Sequence, residues 1–229
     1  MKKIAYCIMV HNDIEHLKHL ISALGHQCEI FIHVDGFIND TPFLKALKPF
    51  VNVHFLSPRI RISWGGISMV DVMIELLRKA IDFPEDFSHF VFLSGSCYPI
   101  KPAKTIQEFF LANQNKSSIK FIKLTDHPDY EKQVKYQYIM ENPFKNRNKL
   151  THQFHRVLRR VSIHARVKNK WQSEIIPYGG SQWVVLNKEC ADYVIKYHDN
   201  NPWFYQMFKN TYAPDEHYIH TILGNSPLV

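Results

Sequence analysis

Apolar positions along this chain recur in two ways: short unbroken runs, and spaced sets with a helical period. Ile4 to Val10 is an apolar run that ends at His11-Asn12-Asp13, and it predicts a short strand. Leu17, Leu20, Ile21 and Leu24 follow at helical spacing, with Asn12 or Asp13 as the cap and Gly25 as the stop. Cys28 to Asp35 predicts a second strand, Thr41 to Leu47 a short helix, and Val51 to Leu56 a third strand. Val70, Met73, Ile74, Leu77 and Ile81 predict a helix over 68–81, capped by Ser68. Phe90 to Ser94 is a fourth strand, apolar enough to be buried on both faces. Strands alternating with helices in this way predict an α/β fold with a largely parallel sheet. Ligands of such sheets bind beyond the carboxyl ends of the strands. His11, Asn12, Asp35 and the loop after Ser94 occupy those ends, so residues 1–125 form a nucleotide-binding half.

The pattern changes in the second half. After a strand over 119–124 the chain turns polar and aromatic through Tyr138. Residues 145–170 then hold Lys145, Arg147, Lys149, Arg156, Arg159, Arg160, Arg166, Lys168 and Lys170 without one acid. Phe154, Val157, Leu158 and Val161 interleave at helical spacing, so this basic insert is either a solvated face or a surface that meets an anionic membrane or polyanion. Nucleic acid is not expected, because no recognised binding motif accompanies the charge. Tyr178 to Leu186 reads as a glycine-rich turn entering a buried strand, and Asn187 as the cap of a helix over 188–197. Near the end, Pro214 suits the first turn of a helix that Ile219, Ile222 and Leu223 would bury. Asp215 and Glu216 fall in that first turn, at the positive end of its dipole. Two readings stand: plain acidic capping, or Asp215 capping while Glu216 is presented at the mouth of a cleft.

Composition narrows the partners. A chain of 229 residues with 45% hydrophobic content is one domain, or one domain with an insertion. The net charge of +7 calls for an acidic partner: phosphate, anionic lipid or polyanion. Cys7, Cys28, Cys97 and Cys190 are scattered without a Cys-x-x-Cys pair, which fits reduced core cysteines of a cytoplasmic chain. The first apolar run is too short for a signal peptide, and no stretch has the length of a membrane span. Gly-x-Gly-x-x-Gly and Gly-Lys-[Ser/Thr] phosphate loops are both absent, so dinucleotide and P-loop enzymes are set aside. Asp35-Gly36 is either a turn or a strand-end acceptor for a nucleotide. Trp64 before Gly65-Gly66 is either a buried helix-entry residue or an aromatic face for a ligand. Ser94 to Pro102 is a polar loop leaving a buried strand.

Five elements in order then resemble one family. They are His33-Val34-Asp35, Trp64-Gly65-Gly66, Ser94 with Tyr98-Pro99-Ile100-Lys101, Gly179-Gly180-Ser181-Gln182-Trp183, and Asp215-Glu216 with Thr221-Ile222-Leu223-Gly224-Asn225-Ser226-Pro227. The chain resembles the core-2 and I-branching β-1,6-N-acetylglucosaminyltransferases and the protein O-xylosyltransferases, on the side of the xylosyltransferase-like bacterial branch. The resemblance implies a single GT-A-type domain with a Rossmann-like central sheet, and an acceptor and catalytic part over 178–229. It implies an inverting enzyme that takes a sugar of the GlcNAc or xylose class from a UDP-sugar and needs no metal or other cofactor. A glycan or lipid-linked acceptor is implied, while the scattered cysteines and the basic insert point to a cytoplasmic location or one peripheral to the inner membrane face. Carried over by position, Glu216 resembles the general base. Val10 and Asp35 resemble the uracil-holding residues, Trp64 and Gly65 the sugar site, and Tyr98, Gln182 and Trp183 the acceptor cleft. Family members place a phosphate-binding basic pair after the Asn-Ser-Pro element, beyond Val229 here. Either the chain is cut short of that pair, or Arg59, Arg61 or the basic insert serves. The alternative is a catalytically degenerate glycan- or polyanion-binding protein on the same fold.

Overall fold

The apolar runs become the middle of a five-stranded sheet. A computed structural model describes residues 2–142 and 149–229. Lys145 and Arg147 of the basic run therefore lie outside the described residues. The chain divides into two compact units. The first comprises Met1–Arg61, Val72–Ile119 and Trp183–Ile195, and the second Ile62–Asp71, Lys120–Gln182 and Lys196–Val229.

In the first unit the strands are β1 (Lys3–Val10), β2 (Cys28–Val34), β3 (Val53–Phe55), β4 (Phe87–Ser94) and β7 (Val185–Asn187). Their order is β3-β2-β1-β4-β7. The first four run parallel, and β7 pairs antiparallel with β4. Every residue of β2 and all of β1 after Lys3 are buried, as runs without polar alternation require. Phe31, Phe87, Phe90 and Phe92 are fully enclosed, each contributing ~1.5–3 kcal/mol by burial. Helix α1 (Ile14–Leu24) buries Leu17, Leu20, Ile21 and Leu24, as the spacing predicts. Asp13 caps it by accepting the His16 N–H at 3.0 Å, and Gly25 ends it. Helix α2 (Thr41–Leu47) has the expected bounds. The expected third strand shrinks to β3 because Val51 points to solvent. Helix α4 (Ala103–Ala112), which follows the loop after β4, has no fully buried residue; Ile106 and Phe110 pack on the core while partly exposed.

Helix α3 (Ser68–Ile81) has residues in both units, as does α7 (Lys188–Asn200). Ser68 does not cap α3 as expected. It is the first helical residue, and its own N–H donates to Glu141 Oε1 at 2.8 Å, so a carboxylate remote in sequence closes the helix end. Asn187 does cap α7, accepting the Cys190 N–H at 2.9 Å.

The second unit carries β5 (Ile122–Lys123) paired antiparallel with β6 (Tyr178–Gly179), and helices α5 (Pro128–Lys135), α6 (Lys149–Ala165), α8 (Pro202–Phe208) and α9 (Tyr218–Gly224). The strand expected over 119–124 is cut to β5. Ser118 bridges to Val185 in the first unit, while Ile122 and Lys123 pair with β6. Packing here is aromatic. Phe204, Phe208 and the wholly buried Tyr218 meet with ring centroids 5.1–5.2 Å apart. The Tyr218 hydroxyl is satisfied by His198 Nδ1 at 2.8 Å, as a buried phenol needs. Among the described residues, no helix is long and apolar enough to cross a membrane. All four cysteines are free; Cys7, Cys28 and Cys190 are buried, whereas Cys97 is only partly so.

Candidate active site

The first unit gathers its candidate residues at the carboxyl ends of β1, β2 and β4. The Asp35 N–H donates to Val10 O at 3.0 Å, which continues the β1–β2 ladder one step past β2. Asp35 Oδ1 accepts the Phe37 N–H at 3.0 Å, so the turn reading of Asp35-Gly36 holds as geometry. The same bond fixes a buried carboxylate at the strand end. His33, two residues earlier and on the same face of β2, accepts the Ile60 N–H through Nε2 at 3.0 Å. Burial pushes its pKa down to about 4, so it is a neutral core histidine. Arg59 Nε pairs with Asp40 at 3.0 Å, and its Nη1 donates to the carbonyls of Ile38 at 2.7 Å and Asp35 at 3.2 Å. It staples the loop after β2, which counts against the phosphate role expected of it. The Arg61 guanidinium lies 5.6 Å over the Phe37 ring. Tyr98 is exposed, with its ring 5.9 Å from that of His16, and Trp183 is exposed beside Val184, whose carbonyl accepts the Phe92 N–H. A cavity of about 760 Å³ opens at this end of the unit, lined by His11, Asn12, Asp13, Pro42, Phe43 and Lys45 among others.

The second unit builds its site around Glu216. Pro214–Glu216 is one turn of 3₁₀-helix, and the chain breaks at His217 before α9 begins at Tyr218. The single helix expected over this stretch is thus two pieces, and no continuous helix dipole acts on Glu216. Ala213 enters the turn in the left-handed region, φ 47°, which is strained for a residue with a Cβ. Three backbone bonds hold that strain in place. Ala213 N–H donates to Gly65 O at 3.0 Å, Glu216 N–H to Ala213 O at 3.0 Å, and Gly180 N–H to Glu216 O at 2.9 Å. Two glycine motifs distant in sequence therefore clasp the same acidic turn. Gly65 sits at φ 73°, where L residues are disfavoured. A Cβ at Gly180 would overlap Lys120 O and lie 2.7 Å from His220 Nε2.

Trp64 is 67% exposed, which disposes of the buried helix-entry reading. Its ring meets Tyr212 edge-on at 6.2 Å, and Tyr212 meets Tyr138 at 5.8 Å, so an open aromatic platform adjoins the Gly65–Ala213 bond. Gln182, expected in the acceptor cleft, is buried. Asp215 is not a cap. No side chain caps the 3₁₀ turn, Asp215 is buried, and its Oδ1 has no hydrogen-bond partner. Burial chiefly pushes its pKa up to about 7; a bond from its own backbone N–H opposes that, and the Glu216 charge adds to it. Glu216 is exposed at the surface, yet nearby protein withdraws enough water to raise its carboxyl above the ordinary value.

A sequence model of the Core-2/I-Branching enzyme family matches residues 4–229. The chain belongs to the Core-2/I-branching enzyme family. Among curated proteins, xylosyltransferase 2 of Canis lupus familiaris is 26% identical over 233 residues, covering 98% of this chain and 25% of that protein. Xylosyltransferase 1 of Rattus norvegicus is 26% identical over 241 residues, covering 98% of this chain and 26% of that protein. The chain thus spans about a quarter of the length of the curated relatives it matches. A solved 4-diphosphocytidyl-2C-methyl-D-erythritol synthase from Anaerococcus prevotii superposes with a TM-score of 0.41 at 10% identity, covering 88% of this chain and 76% of that one. Family membership and the mixed α/β fold agree with the resemblance read from the motifs.

Within this Core-2/I-branching chain, several motif residues turn out to hold the scaffold. Thr221 Oγ1 accepts the Tyr178 N–H at 3.1 Å and donates to Tyr178 O at 3.0 Å. Asn225 brackets Ile176 in the same way, at 3.1 and 2.8 Å. Both fasten the segment entering β6 to α9, upstream of Gly180 and its bond to Glu216. Other participants had no signal in the sequence. Glu141 lies in a polar, aromatic stretch without periodicity, yet it caps α3 and fills the space beside Gly66. Gln133 Oε1 accepts from His217 Nε2 at 2.7 Å, and burial holds His217 neutral, with its pKa lowered to about 4.

Proposed function

We propose that this chain is an inverting, metal-independent glycosyltransferase that moves a sugar from a UDP-sugar to a hydroxyl of a glycan or lipid-linked acceptor. The observation that carries this reading is the state of Glu216: a solvent-accessible carboxylate on a backbone turn fixed from both sides, with its pKa raised by desolvation. A raised carboxylate pKa brings the group nearer to working pH, where general-base catalysis is efficient. In the proposed step Glu216 takes the acceptor hydroxyl's proton as that oxygen bonds to the anomeric carbon. The bond from that carbon to the diphosphate oxygen breaks, the configuration inverts, and UDP leaves with the electron pair. Val10 and Asp35 hold the uracil, Trp64 and Gly65 border the sugar, and the exposed Tyr98 and Trp183 contact the acceptor, with Gln182 buried behind. Arg59 is held by Asp40 and two carbonyls, so the leaving diphosphate calls for a cation other than Arg59. Metal independence rests on the end of β2, where Asp35 is followed by Gly36 and Phe37, not by a second carboxylate. A sugar of the GlcNAc or xylose class fits the names of the relatives.

Turnover of a panel of UDP-sugars by the wild type and Glu216→Gln tests the proposal. The substitution keeps the shape of the side chain and both backbone bonds. Turnover should fall about 10²–10⁴-fold, the usual loss for a general base, with UDP affinity unchanged. Full activity in the variant would remove Glu216 from the chemistry. The second reading, a degenerate binding protein, draws on the basic helix α6. It predicts no UDP protection against heat, whereas a transferase should gain about 2.7 kcal/mol at a hundredfold excess of UDP over its Kd.

A further inference from the structure

Helix α6 carries three rows of residues that run side by side along its axis. Leu150, Phe154, Val157 and Val161 follow the spacing i, i+4, i+7, i+11 and form one apolar row. All four are large and open to solvent, at 78, 56, 56 and 60% exposure. The residues one position later, Thr151, His155, Leu158 and Ser162, are the buried or partly buried ones. They form the row that faces the rest of the second unit. Ser162 Oγ accepts the Ile139 N–H at 3.0 Å and anchors the helix there. Lys149, Arg156 and Arg160 each stand one position before an apolar member, and all three are exposed. One position is about 100° of rotation, so these cations border the apolar row on the side away from the protein. From Glu141 to Glu174 the sequence has no acid between.

We propose that α6 lies flat on an anionic membrane surface. Its Leu150–Phe154–Val157–Val161 row enters the boundary between headgroups and acyl chains, and Lys149, Arg156 and Arg160 sit at the level of the lipid phosphates. Charge complementarity selects this occupant. A second copy of the helix packed on the apolar row would bring basic borders together with no acid in the segment to meet them. A soluble polyanion would use the cations but leave the apolar row in water. An anionic bilayer satisfies both rows at once. The docking needs neither donor nor turnover, so it stands apart from the proposed transfer reaction. It is consistent with a lipid-linked acceptor, because α6 is anchored at Ile139, next in the chain to the Met140–Glu141 pair that packs on Gly65 and Gly66.

The test is co-sedimentation of the full chain with vesicles of phosphatidylcholine alone or mixed with phosphatidylglycerol, at low and high salt. Binding should favour the anionic vesicles, and that preference should shrink with salt. Arg156→Gln/Arg160→Gln should weaken anionic binding about 25-fold, from about fivefold per cation. Val157→Asp/Val161→Asp should lose at least about tenfold by the same membrane reasoning. Both variants alter exposed positions only, so melting temperature and UDP binding should stay put. Should the aspartate variant not fold, Leu150→Trp gives an independent readout: its fluorescence should shift to the blue on anionic vesicles. Equal binding to both vesicle types overturns the proposal, as does binding of dextran sulfate with no vesicle binding. So does a dimer in solution that the aspartate variant dissociates.

Discussion

The buried Asp215 carboxyl makes a prediction about stability that runs against the capping role its sequence position suggests. An acid held near pKa 7 in the folded chain, against 3.8 when exposed, keeps its proton through a range where the unfolded chain has lost it. The folded state binds more protons, so stability is fully present below about pH 4 and falls as pH rises towards about 7. At about 1.4 kcal/mol per pH unit below the folded pKa, the loss between pH 5 and pH 8 is about 3 kcal/mol, with little further change above that. Asp215→Asn cannot ionise and lacks this dependence. The buried His33, His217 and His220 slope the other way, because their lowered pKa values add stability as pH rises to about 6.5. Only the difference between variant and wild type isolates Asp215. Asparagine carries a fixed cost for its own buried amide, about 1–3 kcal/mol, which is the same at every pH. Moving from about pH 5 to pH 8, the variant should therefore gain about 3 kcal/mol on the wild type, or about 6–12 °C in melting temperature for a chain of this size. Thermal melts of both proteins at the two pH values supply the measurement. A difference in melting temperature that does not change with pH would refute the buried-acid account. A capping aspartate would instead leave the variant worse by about 1 kcal/mol, and the more so at the higher pH.

The other expectations are shorter. Asp35→Ala should weaken UDP binding by about 1–3 kcal/mol in titration calorimetry, while Asp35→Asn keeps the acceptor for the Phe37 N–H and should fold normally. Gly180→Ala forces a methyl against Lys120 O and His220, so it should cost about 1–3 kcal/mol of stability and lower turnover by displacing the Glu216 carbonyl's partner; a fully active, equally stable variant would contradict that packing. Turnover should persist in excess EDTA, and activity lost to the chelator and restored by manganese would overturn metal independence.

The sequence by itself determined the parts whose stability is local. Runs such as Ile4–Val10 and Cys28–Val34 have nowhere to go but the middle of a sheet covered on both faces, so the parallel α/β core could be read directly. Caps work over three or four residues, which is why Asp13 and Asn187 were legible while the cap of α3, supplied by Glu141, was not. Helix α4 sets Ile106 and Phe110 against the core only in part, a contact that the fold decides. Glu216, Asp35 and the glycine motifs were found through their family pattern, but their physical roles were decided by contacts between segments far apart in the chain. Only folding brings Gly65 and Gly180 to the two sides of one turn, buries Asp215 instead of leaving it as a cap, and commits Arg59 to a loop. The split of the expected Pro214–Leu223 helix has the same cause: two backbone bonds from outside the stretch, Gly65 to Ala213 and Gly180 to Glu216, hold a turn whose entry at Ala213 local preference disfavours.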